Sequence, residues 1–189
     1  MTIKMMKNNV IDDKKIVPVY SSEIIKVCVR ELASKISEDF KNSDIILIGL
    51  LNSSVFFLSD LIREIERPVF ADFLSISSYG TVENISSPVK ILKDISESLE
   101  NKSVILVDTI VETGFTLDFA IKHVKSFRPA RLKTCALIDL RASRLVDVPI
   151  DYSGFISLET GFAGYGIDIN GNYRNVPFIF QSDFLNNIF

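Results

Sequence analysis

Short continuous apolar runs alternate with amphipathic ones through the middle of this chain, and that alternation restricts the fold more than any other feature. "DIILIGLL" (Asp44–Leu51), "SVILVD" (Ser103–Asp108) and "RLKTCALID" (Arg131–Asp139) are apolar stretches of strand length. Strands buried on both faces read this way, because neither face needs polar residues. Between them, "SSVFFLSDLIREI" and "FTLDFAIKHVKSF" (Phe115–Phe127) carry apolar residues at helical spacing, the second stopping short of Pro129. Ahead of them, Ser21–Phe40 places Ile24, Ile25, Val27, Cys28, Leu32 and Ile36 on a helical stripe, with Ser21 or Ser22 as N-cap. "PVFADFLSI" (Pro68–Ile76) and "YSGFISL" (Tyr152–Leu158) add two strands. The pattern predicts an α/β fold, a parallel central sheet flanked by helices on both faces. Tyr79–Lys90, polar and holding Gly80 and Pro88, is predicted as a mobile loop. The last 30 or so residues, rich in aromatics and Gly turns, are expected to form an appendage over one end of the sheet.

With 189 residues the chain suits one domain, and 47% hydrophobic residues support a sizeable core. A net charge of −3 gives no basic footprint, which argues against nucleic-acid binding. No apolar run approaches the roughly 20 residues of a membrane span. The opening "MTIKMMKNNVIDDKK" lacks the apolar core of a secretory leader, so a soluble, cytoplasmic protein is expected. Cys28 and Cys135 lie in apolar runs and are expected as buried, reduced thiols. His123 falls on the predicted helix surface, where a solvent-facing or capping role is expected.

Chemistry concentrates in "SVILVDTIVETGFTL" (Ser103–Leu117). In open parallel sheets ligands bind beyond the carboxyl ends of strands, and Asp108 is predicted at such an end. The turn after it, Glu112 to Thr116, leads into a helix. Backbone amides at a helix start lack partners, and the helix dipole favours an anion there. Gly114 allows the positive φ that folds such amides around one anion, and Thr113 and Thr116 add hydroxyls. On these residues alone two readings stand: a phosphate cradle, or an ordinary N-cap by Thr113 or Thr116.

The pattern of strand, acidic pair (Asp108 and Thr109 here), two apolar residues, acidic residue and Thr-Gly-x-Thr resembles the phosphoribosyl pyrophosphate (PRPP) signature of the type I phosphoribosyltransferases. Further segments resemble the hypoxanthine-guanine branch of that family, in its order from Val17 to Ile179: "IGLLNSSVFFLSDLIREI", "DFLSISSYG", "VKILKDISESLENKSVILVD" and "GYGIDINGNYRNVPFI". The resemblance implies one domain over 1–189, a core of about 35–150 and a small hood from about 1–34 and 151–189. It implies PRPP and 5′-phosphate contacts from Asp108, Thr109, Glu112, Thr113, Gly114, Phe115 and Thr116. Asp108 and Glu112 would be catalytic, Asp108 at the ribose hydroxyls and Glu112 near N7 of the purine. Leu51, Asn52, Ser53 and Arg174 would face pyrophosphate, the loop often holding a cis peptide in the family. Mg²⁺ would be held with help from Asp108 and Asp168. Ser78 and Tyr79 would begin a closing flap.

Several positions depart from the family pattern. Asp108 is one methylene shorter than the usual Glu, and Thr109 replaces a second carboxylate. Glu112 replaces an Asp. Asn52-Ser53 stands where Lys/Arg-Gly is usual. Leu140 occupies the position of a lysine that meets the purine oxygen, and Gly161 that of an aromatic that stacks on the base. Their neighbours Arg141 and Phe162, with Asp168, are therefore expected at the purine. The implied activity is transfer of phosphoribose to hypoxanthine or guanine, yielding IMP or GMP, by a homodimer or homotetramer. The alternative is a catalytically weak or inactive purine-nucleotide sensor.

Overall fold

The computed structural model describes residues 16–77 and 90–182. The expected flap residues Ser78 and Tyr79 lie outside them. The chain begins with helix α1 (Ser22–Asp39), capped by the Ser21 hydroxyl, which accepts from the amide of Ile24. Strand β1 (Ile45–Leu51), helix α2 (Ser54–Glu64) and strand β2 (Phe70–Ser77) follow. A short strand β3 (Lys90–Lys93) precedes β4 (Ser103–Val111), helix α3 (Phe115–Ser126), β5 (Arg131–Asp139) and β6 (Tyr152–Ile156).

These strands form one sheet in the order β3-β2-β1-β4-β5-β6, parallel except for β3. The sequence pattern missed β3. Its alternating Lys-Ile-Leu-Lys is half-exposed at the sheet edge, where lysines discourage further pairing. Strand β4 also runs three residues beyond Asp108, because Thr109, Ile110 and Val111 continue its pairing with β5. Asp108 is thus inside the strand and not at its end.

The period-2 alternation sends the strands' apolar side chains to both faces. On one face Leu47, Ile105, Val107 and Leu137 pack against Ile25, Leu32 and Ile36 of α1 and Phe57, Leu58 and Leu61 of α2. On the other, Ile46, Ile48 and Leu106 meet Leu117, Ala120, Ile121 and Val124 of α3. Cys28 and Cys135 are free and buried in the first of these layers. His123 is less exposed than expected, with its Nε2 2.7 Å from Asp94 Oδ1 and its ring packed against Phe127.

Past β6 the chain turns back over the carboxyl end of the sheet, where β7 (Phe162–Ala163) pairs with β8 (Phe180–Gln181). The amides of Val19 and Tyr20 donate to the carbonyl of Ile179, so the segment before α1 joins this hood. The Tyr165 hydroxyl donates to Asp60 at 2.6 Å and fastens the hood to α2.

Candidate active site

A cavity of about 440 Å³ opens between the carboxyl ends of β1 and β4, the turn before α3 and the hood. Leu51, Asn52, Ser53, Asp108, Glu112 to Thr116, Asp168 and Arg174 all line it. The parallel pairing of β1 with β4 sets Gly49 beside Val107, which brings the loop after β1 against Asp108 and Thr109.

The turn leaves its own amides without partners. Gly114 is the N-cap of α3 with φ of 91° and makes no side-chain cap bond, so neither Thr113 nor Thr116 caps the helix. Among the described residues no carbonyl or side chain accepts from the amides of Thr113 through Thr116. Their carbonyl sides, by contrast, are tied down. The amides of Leu145 and Val146 donate to the carbonyl of Thr113 at 2.9 and 3.0 Å, and that of Leu140 donates to Val111 at 3.0 Å. Arg144 donates from Nε to the carbonyl of Glu112 at 3.2 Å and from Nη2 to that of Val111 at 3.4 Å. The same Nη2 also pairs with the buried Asp139. With carbonyls anchored behind, the amides face the cavity, where the dipole of α3 adds positive potential. Arg144 belongs to no motif and was missed in the sequence. The available signal was Asp139, a carboxylate ending a buried strand, which requires a cationic partner nearby.

Asp108 is 7% exposed, and burial pushes its carboxyl up to about 7, against the Ser53 hydroxyl and the amides of Thr109 and Ile110. The Ser53 hydroxyl donates to Asp108 Oδ1 at 3.0 Å. Thr109 does not line the cavity, contrary to its expected ligand contact. It is fully buried, and its hydroxyl donates to the carbonyl of Ser53 at 2.9 Å. Asp108 and Thr109 leave the strand on opposite faces, Asp108 toward the cavity and Thr109 toward the carbonyl of Ser53. The Leu51–Asn52 peptide is cis.

From the hood, Asp168 Oδ1 pairs with Arg174 Nη2 at 2.6 Å, while its Oδ2 accepts from the amide of Gly171 at 2.7 Å. Arg174 Nη1 donates to the carbonyl of Gly166 at 2.6 Å. Asp168 is therefore both a turn residue and a cavity residue, and Arg174 is no free surface arginine. Neither residue expected to replace the base contacts reaches the cavity. The Arg141 side chain is 62% exposed and pairs with Asp139 at 2.9 Å. Phe162 is buried in the apolar core near Tyr20. Leu140 is also buried, leaving Arg174 the one cation on the cavity wall among the described residues.

Among the described residues no three His, Cys, Asp or Glu side chains cluster as a metal site. Asp108 and Asp168 supply two carboxylates to one cavity. That donor set fits Mg²⁺, which binds through one or two carboxylates and completes its octahedron with water and substrate phosphates.

The model of the phosphoribosyl transferase domain family matches residues 19–170. The chain is 38% identical over 158 residues to hypoxanthine phosphoribosyltransferase of Salmonella typhimurium, covering 82% of this chain and 88% of that protein. It is 36% identical over 169 residues to hypoxanthine-guanine phosphoribosyltransferase of Aquifex aeolicus, covering 89% and 95% of the two. A crystal structure of a hypoxanthine-guanine phosphoribosyltransferase from Bacillus anthracis superimposes with a TM-score of 0.83 at 40% identity, over 87% of this chain and 97% of that one. With this likeness spanning sheet, cradle and hood, the chain belongs to the phosphoribosyltransferase family, in its hypoxanthine and hypoxanthine-guanine branch.

Proposed function

We propose that this chain is a purine salvage enzyme. It transfers the 5-phosphoribosyl group of PRPP to hypoxanthine or guanine, giving IMP or GMP and pyrophosphate. One observation carries the proposal: the free amides of the Thr113–Thr116 turn open into the same cavity as Asp108, Glu112 and Arg174. The names of the relatives support the substrate pair.

In this reading each group has a task. The cradle holds the 5′-phosphate through main-chain donors and fixes the ribose in place. Asp108 accepts from the ribose hydroxyls. Arg174, held in orientation by Asp168 and the carbonyl of Gly166, donates to the departing pyrophosphate together with the loop of Leu51, Asn52 and Ser53. Glu112, exposed at the cavity wall, is placed to take a proton from the purine as the C–N bond forms. Positive charge develops on the ribose as pyrophosphate leaves, and Asp108 lies beside it. Asp108 and Asp168 would hold Mg²⁺ together with the substrate, and the ion would neutralise charge on the leaving group. The purine end has no lysine on the cavity wall among the described residues, so base recognition there rests on Glu112, Asp168 and main-chain groups.

The assay is nucleotide synthesis from PRPP, Mg²⁺ and labelled hypoxanthine or guanine. The wild-type chain forms IMP or GMP, and Glu112→Ala lowers kcat by about 10²–10⁴ while GMP still binds. No product with either base, or an undiminished Glu112→Ala variant, refutes the proposal. A cytoplasmic homodimer or homotetramer completes it, supported by the exposed apolar residues Ile24, Val27, Ile156 and Leu158 on α1 and around β6. A monomer mass by light scattering would refute the assembly.

A further inference from the structure

The carbonyl of Ser53 is gripped from two sides. Thr109 donates to it at 2.9 Å from inside β4. From the hood, the backbone of Gly166 approaches so closely that a Cβ there would stand 2.1 Å from the same oxygen. Gly166 in turn exchanges two bonds with Arg174: its amide donates to the Arg174 carbonyl at 2.9 Å, and its carbonyl accepts from Arg174 Nη1 at 2.6 Å. The Ser53 hydroxyl meanwhile donates to Asp108 at 3.0 Å. Loop, strand and hood therefore meet at one oxygen atom.

We infer that Thr109 is a positioning residue for the leaving-group end of the site, acting through the Ser53 carbonyl on the Asn52–Ser53 loop and on Arg174 without touching substrate. The inference rests on the PRPP reading above and deepens it. Full burial of Thr109 removes it from ligand contact. Its hydroxyl has one acceptor, the carbonyl that the hood also rests on. The phosphate cradle is braced separately, by the segment from Leu140 to Val146. A defect at Thr109 should therefore be felt by pyrophosphate and PRPP and not by a nucleoside monophosphate.

Thr109→Val keeps the shape and deletes the donor. It should raise KM for PRPP and Kd for magnesium pyrophosphate about tenfold, the effect of leaving one part-buried carbonyl without its donor. Kd for GMP should stay within about twofold, since the cradle's own donors are untouched. Thr109→Ser, which retains the hydroxyl, should behave as wild type. Thr109→Cys, without a competent donor, serves if valine is not accommodated in a folded chain. Equal losses for GMP and pyrophosphate, no loss for either, or a Thr109→Ser variant as impaired as Thr109→Val would each overturn the inference. So would Thr109→Asp binding PRPP more tightly, since that result makes the position a ligand contact. A wild-type chain that binds neither PRPP nor GMP overturns the proposed function and this inference with it. A wild type that binds both, with Thr109→Val unaffected, overturns this inference alone.

Discussion

Gly114→Ala tests the cradle directly. At φ of 91° an L-residue carries left-handed backbone strain of about 1–2 kcal/mol. The added Cβ would also stand 2.6 Å from the carbonyl oxygen of Val146 and 2.9 Å from Arg144 Cδ. The arginine stem can swing away, but the carbonyl is backbone. Moving it strains the bonds from the Leu145 and Val146 amides to Thr113, worth about 1 kcal/mol each. The sum is about 3–4 kcal/mol, a fall in melting temperature of roughly 6–16 °C for a chain of this size. Because the same bonds aim the Thr113–Thr116 amides, GMP affinity should drop about 10–100-fold, the loss of about one charge-assisted bond. Gly171→Ala is the control: its φ is 81°, but nothing lies within 4 Å of the added methyl. It should show the backbone strain with no loss of cradle affinity. Thermal melts and calorimetry with GMP read both quantities. If Gly114→Ala matches Gly171→Ala in stability and keeps wild-type GMP affinity, the turn is not a braced cradle.

Three further outcomes follow from other contacts. Arg144→Ala should weaken GMP binding at least about tenfold and leave Asp139 buried with only Arg141, at a cost of about 3 kcal/mol; an equilibrium urea melt with a GMP titration checks both. Asp72 is held below the usual carboxylate range: burial pushes it up, but Lys93 Nζ and the amides of Ser96 and Phe73 outweigh that. Its contribution is complete above an unfolded-state pKa of about 3.9 and is lost as pH falls through the lower folded value, so Asp72→Asn should flatten the acid side of the stability profile measured by urea melts. Burial raises the Cys28 thiol to about 11, so its alkylation by iodoacetamide at pH 8 should be about 100-fold slower in the folded chain than in urea, followed by mass spectrometry.

Burial on both faces made β1 and β5 legible, since nothing but an apolar run satisfies two hydrophobic layers. The sequence places the end of β4 at Asp108, three residues short of Val111. The β-branched Thr109, Ile110 and Val111 that follow keep the strand paired. The sharp turn before α3 was legible, because Gly114 supplies the positive φ that it needs. Its bracing was not, because Arg144 acts across a separation of about thirty residues from a segment with no periodicity. Phe162 was assigned to the base by adjacency, but an aromatic in a hood of so few strands is drawn into the core that holds the hood down. At the purine end, therefore, one-residue shifts along the sequence do not substitute for the missing lysine and aromatic.

A grip made of peptide nitrogens is written in no single codon. Substitutions can exchange the carboxylates, the lysine and the stacking ring of such an enzyme one at a time, and the amides of Thr113 through Thr116 are still there after each. What mutation can remove is the glycine that bends the turn and the arginine behind it. The durable part of this catalyst is consequently guarded by two residues of which one never meets the substrate.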